Sequence, residues 1–166
     1  MPSLLQTADY ARALQTALRP GDDVDALVAL TLRRQEALTR AEYPLSLDLV
    51  LDEAVFHRVV GTPAVMRAQL LVLADAAELP NVRLRALPFA AGPDPAIAEG
   101  VFTIFHFRRD IDADVVNLES RLTDTYVEGE ENVALYHRLT AGLRERALAP
   151  ENTAEFIRRM ASLHDA

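Results

Sequence analysis

An acid, a histidine and an arginine lie close together in residues 51–58, as Glu53, His57 and Arg58. A carboxylate, an imidazole and a guanidinium serve in proteins as base, proton carrier and anion anchor. Leucine alternation through residues 47–53 places Glu53 on the apolar face of a predicted strand. Burial favours the protonated form of a carboxylic acid, whereas a neighbouring guanidinium favours the charged form. Two interpretations follow: a structural pair with Arg58 or a backbone cap, or a ligand or catalytic site.

Glu119 is a second acid in a strand pattern, on the same face as Val115 and Asn117. If its strand is a neighbour of the first, Glu53 and Glu119 line one polar hollow. Tyr126, on the following predicted strand, would join the wall of that hollow. The alternative is a polar sheet face exposed to water, which is common in antiparallel sheets.

The chain has four histidines, His57, His106, His137 and His164, and no cysteine. No two histidines have the H-x-x-x-H spacing of metal ligands on one helix, so we expect no metal site. His106 alternates with Phe102 and Ile104, which is typical of an interior or strand-end histidine. The sequence contains no G-x-S-x-G, G-x-G-x-x-G or phosphate-loop motif, so we also expect no cofactor.

The composition describes an acidic globular protein of 166 residues, half of them apolar, with a formal net charge of −8. That charge opposes the phosphate neutralisation on which nucleic-acid affinity depends, so we expect no direct nucleic-acid binding. All 17 basic residues are arginine, which excludes lysine Schiff-base chemistry. There is no bilayer-length apolar run and no signal-peptide pattern. We therefore expect a cytoplasmic protein that makes no membrane contact.

Hydrophobic periodicity predicts helices and strands that would position these residues. Predicted helices begin after Thr7 and after Asp22 or Asp23, follow Gly61-Thr62-Pro63, cover residues 131–148 and follow Pro150; predicted strands cover residues 46–53, 82–87, 101–107, 114–120 and 124–128. The breaks between the later strands are too short for helical crossovers. The expected fold is therefore α+β, a single domain over residues 1–166 with an antiparallel sheet of about five strands and helical pairs at both ends.

Residues 88–100 form the longest predicted connection and are rich in alanine, proline and glycine. Connections of this length are uncommon in compact domains, and they often act as lids or binding segments. We expect this loop to border the site.

Several short segments occur in an order and spacing typical of one known family. They are Leu4-Leu5-Gln6-Thr7 with Asp9-Tyr10-Ala11-Arg12; Arg33-Arg34-Gln35; Leu51-Asp52-Glu53-Ala54 with Arg58 and Gly61; Pro63-Ala64-Val65-Met66-Arg67-Ala68-Gln69-Leu70; Leu87-Pro88-Phe89-Ala90-Ala91-Gly92; and Asp114-Val115-Val116 with Leu118-Glu119. From about Leu4 to Met160 the chain resembles the actinobacterial domain of unknown function DUF5753. That domain follows a helix-turn-helix module in WhiJ-like transcriptional regulators of the XRE family.

The resemblance implies a regulatory domain that senses a small molecule or engages a small partner protein. The chain begins where the family's domain begins, so we expect the helix-turn-helix module to be missing. Three departures from the family pattern lie around the expected pocket. Asn117 replaces a usual aromatic, Ala149 replaces a serine cap, and the lid pattern of residues 94–99 is altered.

The leading hypothesis is a regulatory pocket between the sheet and the helix that begins at Pro63. Its predicted lining is polar at Glu53, Arg58, Gln69 and Glu119 and apolar at Phe89, Phe102 and Phe105. In this hypothesis Glu53 and Arg58 fix polar groups of a ligand, and the aromatic residues bury its apolar part.

The rival hypothesis is a cofactor-independent enzyme of specialised metabolism, an isomerase, lyase or cyclase that reuses the same pocket. Glu53 or His57 would be the base, Tyr126 or His106 the acid, and Arg58 the anion stabiliser. A third hypothesis is a homodimer formed through the terminal helices.

Overall fold

The computed structural model describes residues 1–107, 112–120 and 123–165, which form two compact units. The first unit is Met1–Phe89 with Ala147–Ala166, and the second is Ala90–Arg146. The helices are α1 (Ala8–Leu18), α2 (Val24–Thr39), α3 (Ala54–His57), α4 (Pro63–Ala76), α5 (Glu130–Arg146) and α6 (Pro150–Ser162). The strands are β1 (Leu47–Asp52), β2 (Val82–Leu87), β3 (Phe102–Phe105), β4 (Val115–Glu119) and β5 (Asp124–Val127). The prediction of a single regulatory domain stays a prediction.

None of the described helices combines the length and the apolar composition that a membrane span requires.

The first unit contains a two-stranded parallel sheet, in which β1 pairs with β2 from Leu47 opposite Val82 to Asp52 opposite Leu87. The expected single antiparallel sheet of about five strands is therefore wrong. Parallel strands need a crossover connection, and the 14-residue helix α4 lies between β1 and β2 in the sequence. The α+β class itself is confirmed.

Three helices of this unit begin at the predicted capping residues. The side chains of Thr7, Asp23 and Thr62 accept hydrogen bonds from backbone N–H groups three residues further on, at 3.2, 3.0 and 3.3 Å. Each bond satisfies one of the backbone donors that a helix leaves free at its first turn. Pro63 follows Thr62 as the first residue of α4, where its missing N–H costs nothing.

Helices α4 and α6 supply much of the first unit's core, together with β2 and the short helix α3. The largest fully buried apolar side chains here are Phe56, Met66, Leu70, Leu73, Leu84 and Ile157. Gln69 is fully buried among them. Its Oε1 accepts from the backbone N–H of Thr7 at 2.6 Å, and its Nε2 donates to the carbonyl of Leu5 at 2.7 Å. Gln69 therefore ties the N-terminal segment to α4.

The second unit is a three-stranded antiparallel sheet in the order β3–β4–β5. Phe102 lies opposite Leu118, and Asn117 lies opposite Tyr126. Among the described residues, its buried cluster is Val116, Val133 and Tyr136, with Phe102 packed against it. The antiparallel pairing predicted for these three strands is confirmed.

Part of the connection over residues 88–100 belongs to the second unit. That part is held in place by a residue of α5. Asp94 caps a short 3-10 helix, Pro95–Glu99, by accepting from the Ala96 N–H at 2.9 Å. The Arg146 guanidinium contacts Asp94 at 3.3 Å and donates to the carbonyls of Pro93 at 2.7 Å and Ala91. This segment, predicted as a lid, is therefore held by several hydrogen bonds.

Replacing Gln69 with leucine tests the tie between α4 and the N-terminal segment. We expect Gln69→Leu to lower the free energy of unfolding by about 2–4 kcal/mol, because a buried backbone carbonyl and a part-buried backbone N–H lose their partners. Urea unfolding measures the loss. Gln35→Leu is the matched control, since Gln35 also donates to backbone carbonyls, those of Ser3 and Gln6, but is half-buried, so water replaces it. Equal losses in the two variants would show that burial of the Gln69 amide is unimportant.

Candidate functional site

Glu53 follows directly after β1 and has helical backbone angles, φ −56° and ψ −29°, at the start of α3. The predicted strand ran through Glu53, whereas β1 ends at Asp52. The pairing of β1 and β2 nevertheless continues one step further, because the Glu53 N–H donates to the carbonyl of Leu87 at 2.9 Å. Glu53 therefore lies where the chain leaves the carboxyl end of a parallel strand.

The Glu53 carboxylate makes two contacts. Its Oε2 accepts from the backbone N–H of Phe89 at 2.7 Å, and its Oε1 lies 3.2 Å from Nε2 of His57. The carboxylate thus caps a backbone donor, one of the structural roles considered for it. Among the described residues, the Arg58 side chain forms no ion pair with Glu53 or with any other residue.

His57 and Phe89 stack with ring centroids 5.6 Å apart and planes 18° apart. Phe89 is 59% exposed, although Glu53 fixes its backbone. A hollow of about 270 Å³ is lined by Ala54, His57, Arg58 and Phe89. We call these four residues the Phe89 surface. The Phe89 surface lies just beyond the carboxyl ends of β1 and β2, the edge at which open α/β sheets bind ligands.

The remaining predicted site residues lie elsewhere. Gln69 is in the core of the first unit, with both ends of its amide bonded to backbone. The others belong to the second unit, namely Phe102, His106, Glu119 and Tyr126. The condition set for a hollow shared by Glu53 and Glu119, that their strands are neighbours, is not met, because β1 pairs with β2 whereas β4 pairs with β3 and β5.

The second-unit residues have their own contacts. Phe102 packs edge-on against Tyr136, with ring centroids 5.1 Å apart, and so contributes to the small core. Glu119 lies at the end of β4 opposite Asp124, and both side chains are exposed. Tyr126 is exposed on β5. Phe105, expected to line the pocket, is 44% exposed.

A second polar cluster consists of His106, Asp114 and His137. Nδ1 of His106 lies 2.8 Å from Oδ2 of Asp114, and Nε2 of His137 lies 3.0 Å from the same oxygen. The two imidazoles stack with centroids 5.4 Å apart and planes 29° apart. His106 follows β3, Asp114 precedes β4 and His137 lies on α5, so the cluster joins three elements.

Histidine spacing in the sequence does not reveal this cluster, because Asp114 is 8 residues from His106 and 23 residues from His137. One sequence signal was available. In the antiparallel pair of β3 and β4, Phe105 lies opposite Val115. Extending that register by one residue places position 106 opposite position 114. The contribution of His137 depends on how α5 packs, which strand pairing does not predict.

Asp114 has an altered acidity. Partial burial raises its pKa, but hydrogen bonding and charge from His106, the hydrogen bond from His137 and the Phe107 N–H together hold the pKa below its usual value. The carboxylate is therefore charged near neutral pH. A hollow of about 360 Å³ lies alongside, and its lining includes Asp114, Glu130, Val133 and His137. Imidazole and carboxylate groups can transfer protons, and they can also bind metal ions.

Replacing Asp114 with asparagine tests the electrostatic role of this carboxylate. A lowered folded-state pKa stabilises the fold above the unfolded-state pKa, about 3.9, and this stabilisation is lost as the pH falls through the folded-state value. We expect Asp114→Asn to lower the free energy of unfolding by about 1 kcal/mol at pH 7. We expect the difference from the parent to shrink below about pH 4.

The measurement is urea unfolding of parent and variant from pH 7 to pH 3, with a chelator present. Asp112→Asn is the control, because the Asp112 carboxylate accepts from the Ala113 N–H and is exposed. A parent–variant difference for Asp114→Asn that stays constant down to pH 3 would contradict the assigned role.

Comparison with known proteins identifies the family to which the chain belongs. The family model described as "Domain of unknown function (DUF5753)" matches residues 1–159. The chain is also similar to the heat-inducible transcription repressor HrcA of Kineococcus radiotolerans, at 31% identity over 168 residues. That alignment covers 92% of this chain and 46% of the repressor, so the chain spans about half of its length. No solved structure matches the chain. The predicted family is confirmed: the chain belongs to the DUF5753 family.

Proposed function

We propose that this chain is a regulatory domain of a transcription regulator and that it engages a partner protein through the Phe89 surface. Its similarity to a protein named as a transcription repressor supports the regulatory part of the proposal. The single observation that carries the partner-binding part is an exposed phenylalanine whose backbone is fixed by Glu53 and whose ring stacks on His57, next to an arginine without a partner among the described residues.

The Phe89 surface is ordered before any partner arrives. Glu53 fixes the backbone of Phe89, and His57 stacks on its ring. A side chain that is already restrained loses less conformational entropy on binding, so more of its contact energy contributes to affinity. Exposed aromatic residues and arginine are enriched at protein interfaces and frequently dominate their binding energy.

Arg58 sets the chemistry that we expect of the partner. A guanidinium offers a fork of N–H donors that matches the two oxygens of a carboxylate. The ring of Phe89 needs an apolar contact. A partner segment that presents an acidic side chain next to an apolar one therefore fits this surface.

The openness of the hollow favours a protein partner over a small molecule. Pockets that bind a small ligand usually measure about 300–1,000 Å³ and bury most of its surface. The hollow at the Phe89 surface is about 270 Å³, near the lower end of that range, but it is largely open to solvent and borders the exposed Phe89. Small-molecule sensing is the second candidate function.

The enzyme hypothesis rests on one contact, the 3.2 Å approach of the Glu53 carboxylate to His57. A carboxylate that orients an imidazole is a common arrangement in general-base catalysis. The acids expected alongside it, Tyr126 and His106, belong to the second unit. Turnover of a metabolite that is abolished by His57→Ala but unaffected by His164→Ala would support the enzyme hypothesis over partner binding.

Affinity capture from an extract of the native host tests partner binding. The immobilised chain should retain a defined protein, and we expect Phe89→Ala and Arg58→Glu each to reduce its recovery by about tenfold or more, as hot-spot residues do. The matched controls are Leu18→Ala, whose side chain is 57% exposed, and Arg33→Glu on the exposed side of α2. We expect both controls to retain the partner.

Equal recovery by all four variants would contradict the Phe89 surface as the binding site. Native mass spectrometry of the purified chain distinguishes the second candidate. A retained metabolite that is lost in Arg58→Glu, with no protein recovered from the extract, would replace partner binding with small-molecule sensing.

A further inference from the structure

We propose that His106, Asp114 and His137 bind one divalent transition-metal ion of the zinc class. The ligand atoms are Nδ1 of His106, a carboxylate oxygen of Asp114 and Nε2 of His137. This site lies in the second unit and is independent of partner binding at the Phe89 surface. Among the described residues, it is the group of three acids and histidines whose ligand atoms converge.

The distances are close to those that a bound ion needs. All three ligand atoms lie within 4.8 Å of one another, and the two nitrogens lie 2.8 and 3.0 Å from the shared oxygen. Zinc binds nitrogen and oxygen at about 2.0–2.2 Å, so tetrahedral ligand atoms are about 3.3–3.5 Å apart. Small side-chain rotations would convert the hydrogen-bonded cluster into a coordination site.

The donor set selects the class of ion. Imidazole nitrogens suit zinc, cobalt, nickel and copper, whereas magnesium and calcium prefer sites made of oxygen ligands. The Asp114 carboxylate supplies a negative charge that offsets part of the charge of the ion. The chain contains no cysteine, so no thiolate competes for a zinc-class ion.

Proton accounting permits binding. In the metal-free cluster, a ring N–H of each histidine points at the same Asp114 oxygen. A neutral imidazole carries one proton, which moves to the other ring nitrogen when the first binds metal. A protonated imidazole releases its proton instead. His106 is 59% exposed and His137 is 42% exposed, so an ion reaches both rings from solvent without opening the core.

Bound metal would have two consequences. It would cross-link the end of β3, the start of β4 and α5, in a unit whose buried cluster is small. One coordination position of the ion would also remain open, because a tetrahedral ion takes four ligands and the protein supplies three. The hollow of about 360 Å³ beside Asp114 and His137 has room for a water molecule or a ligand donor at that position.

Titration of the untagged, chelator-treated chain with ZnCl₂ and with CoCl₂ tests the proposal. We expect isothermal titration calorimetry to show one zinc ion per chain. We expect cobalt to produce the visible absorption bands that are typical of a four- or five-coordinate ion. We expect zinc to displace the cobalt. Zinc should also raise the melting temperature, because an ion that binds only the folded chain stabilises it.

The variants locate the ion. Asp114→Asn, His106→Ala and His137→Ala should each weaken zinc binding by about tenfold or more and abolish the cobalt bands. His57→Ala and His164→Ala are controls that replace the other two histidines. His106 is the most exposed of the three ligands, so His106→Ala keeps the test valid if Asp114→Asn fails to fold.

Three results would each overturn the proposal. The first is a parent chain that shows no saturable zinc or cobalt binding. The second is binding that survives in His106→Ala and His137→Ala, and the third is binding that is lost equally in His57→Ala.

Discussion

The hydrogen bond between the Phe89 N–H and the Glu53 carboxylate is the contact on which the candidate binding surface depends. It joins the segment that leaves β2 to the segment that leaves β1, just beyond the last ladder pair, Asp52 and Leu87. The backbone bond from Glu53 to Leu87 lies beside it, so the same residue connects the two segments twice. Because the other carboxylate oxygen contacts His57, one side chain positions both members of the aromatic stack.

The two units differ in the size of their apolar cores. The first has a broad apolar core between its helices and the parallel strand pair, and a buried amide, Gln69, fixes the N-terminal segment to that core. The second has a small apolar cluster supplemented by polar contacts. In the second unit, Arg146 binds several acceptors in the connection after β2, and Asp114 binds two histidines. Ion pairs are also present in the first unit, for example between Arg158 and Asp75 at 3.1 Å, so the two units differ in the extent of their apolar cores.

The sequence predicted those features that depend on interactions between residues close together in the chain. The caps at Thr7, Asp23 and Thr62 could be predicted because a capping side chain and its backbone donors lie within one helical turn. The parallel pairing of β1 and β2 was missed, although α4 between them is the connection that a parallel pair requires. Pairing depends on which edges meet in space, and periodicity within one strand carries no information on that.

The candidate sites show the same division. Glu53, His57, Arg58 and Phe89 were all singled out from sequence, but the contact of Glu53 with the Phe89 backbone depends on the parallel register. Gln69 is a polar residue of the predicted pocket lining, but it lies on the apolar face of α4, where a ligand contact and a buried structural amide give the same sequence pattern. The cluster of His106, Asp114 and His137 combines a strand register with helix packing, and spacing rules for single elements do not detect it.

Amide hydrogen exchange at Phe89, followed by NMR in the parent chain and in Glu53→Ala, tests most directly whether Glu53 orders the Phe89 surface. A hydrogen-bonded amide exchanges only when its bond opens. The account predicts protection of the Phe89 amide in the parent, loss of that protection in Glu53→Ala, and partial retention in Glu53→Gln, which keeps an acceptor oxygen. Equal protection in the parent and in Glu53→Ala would contradict it.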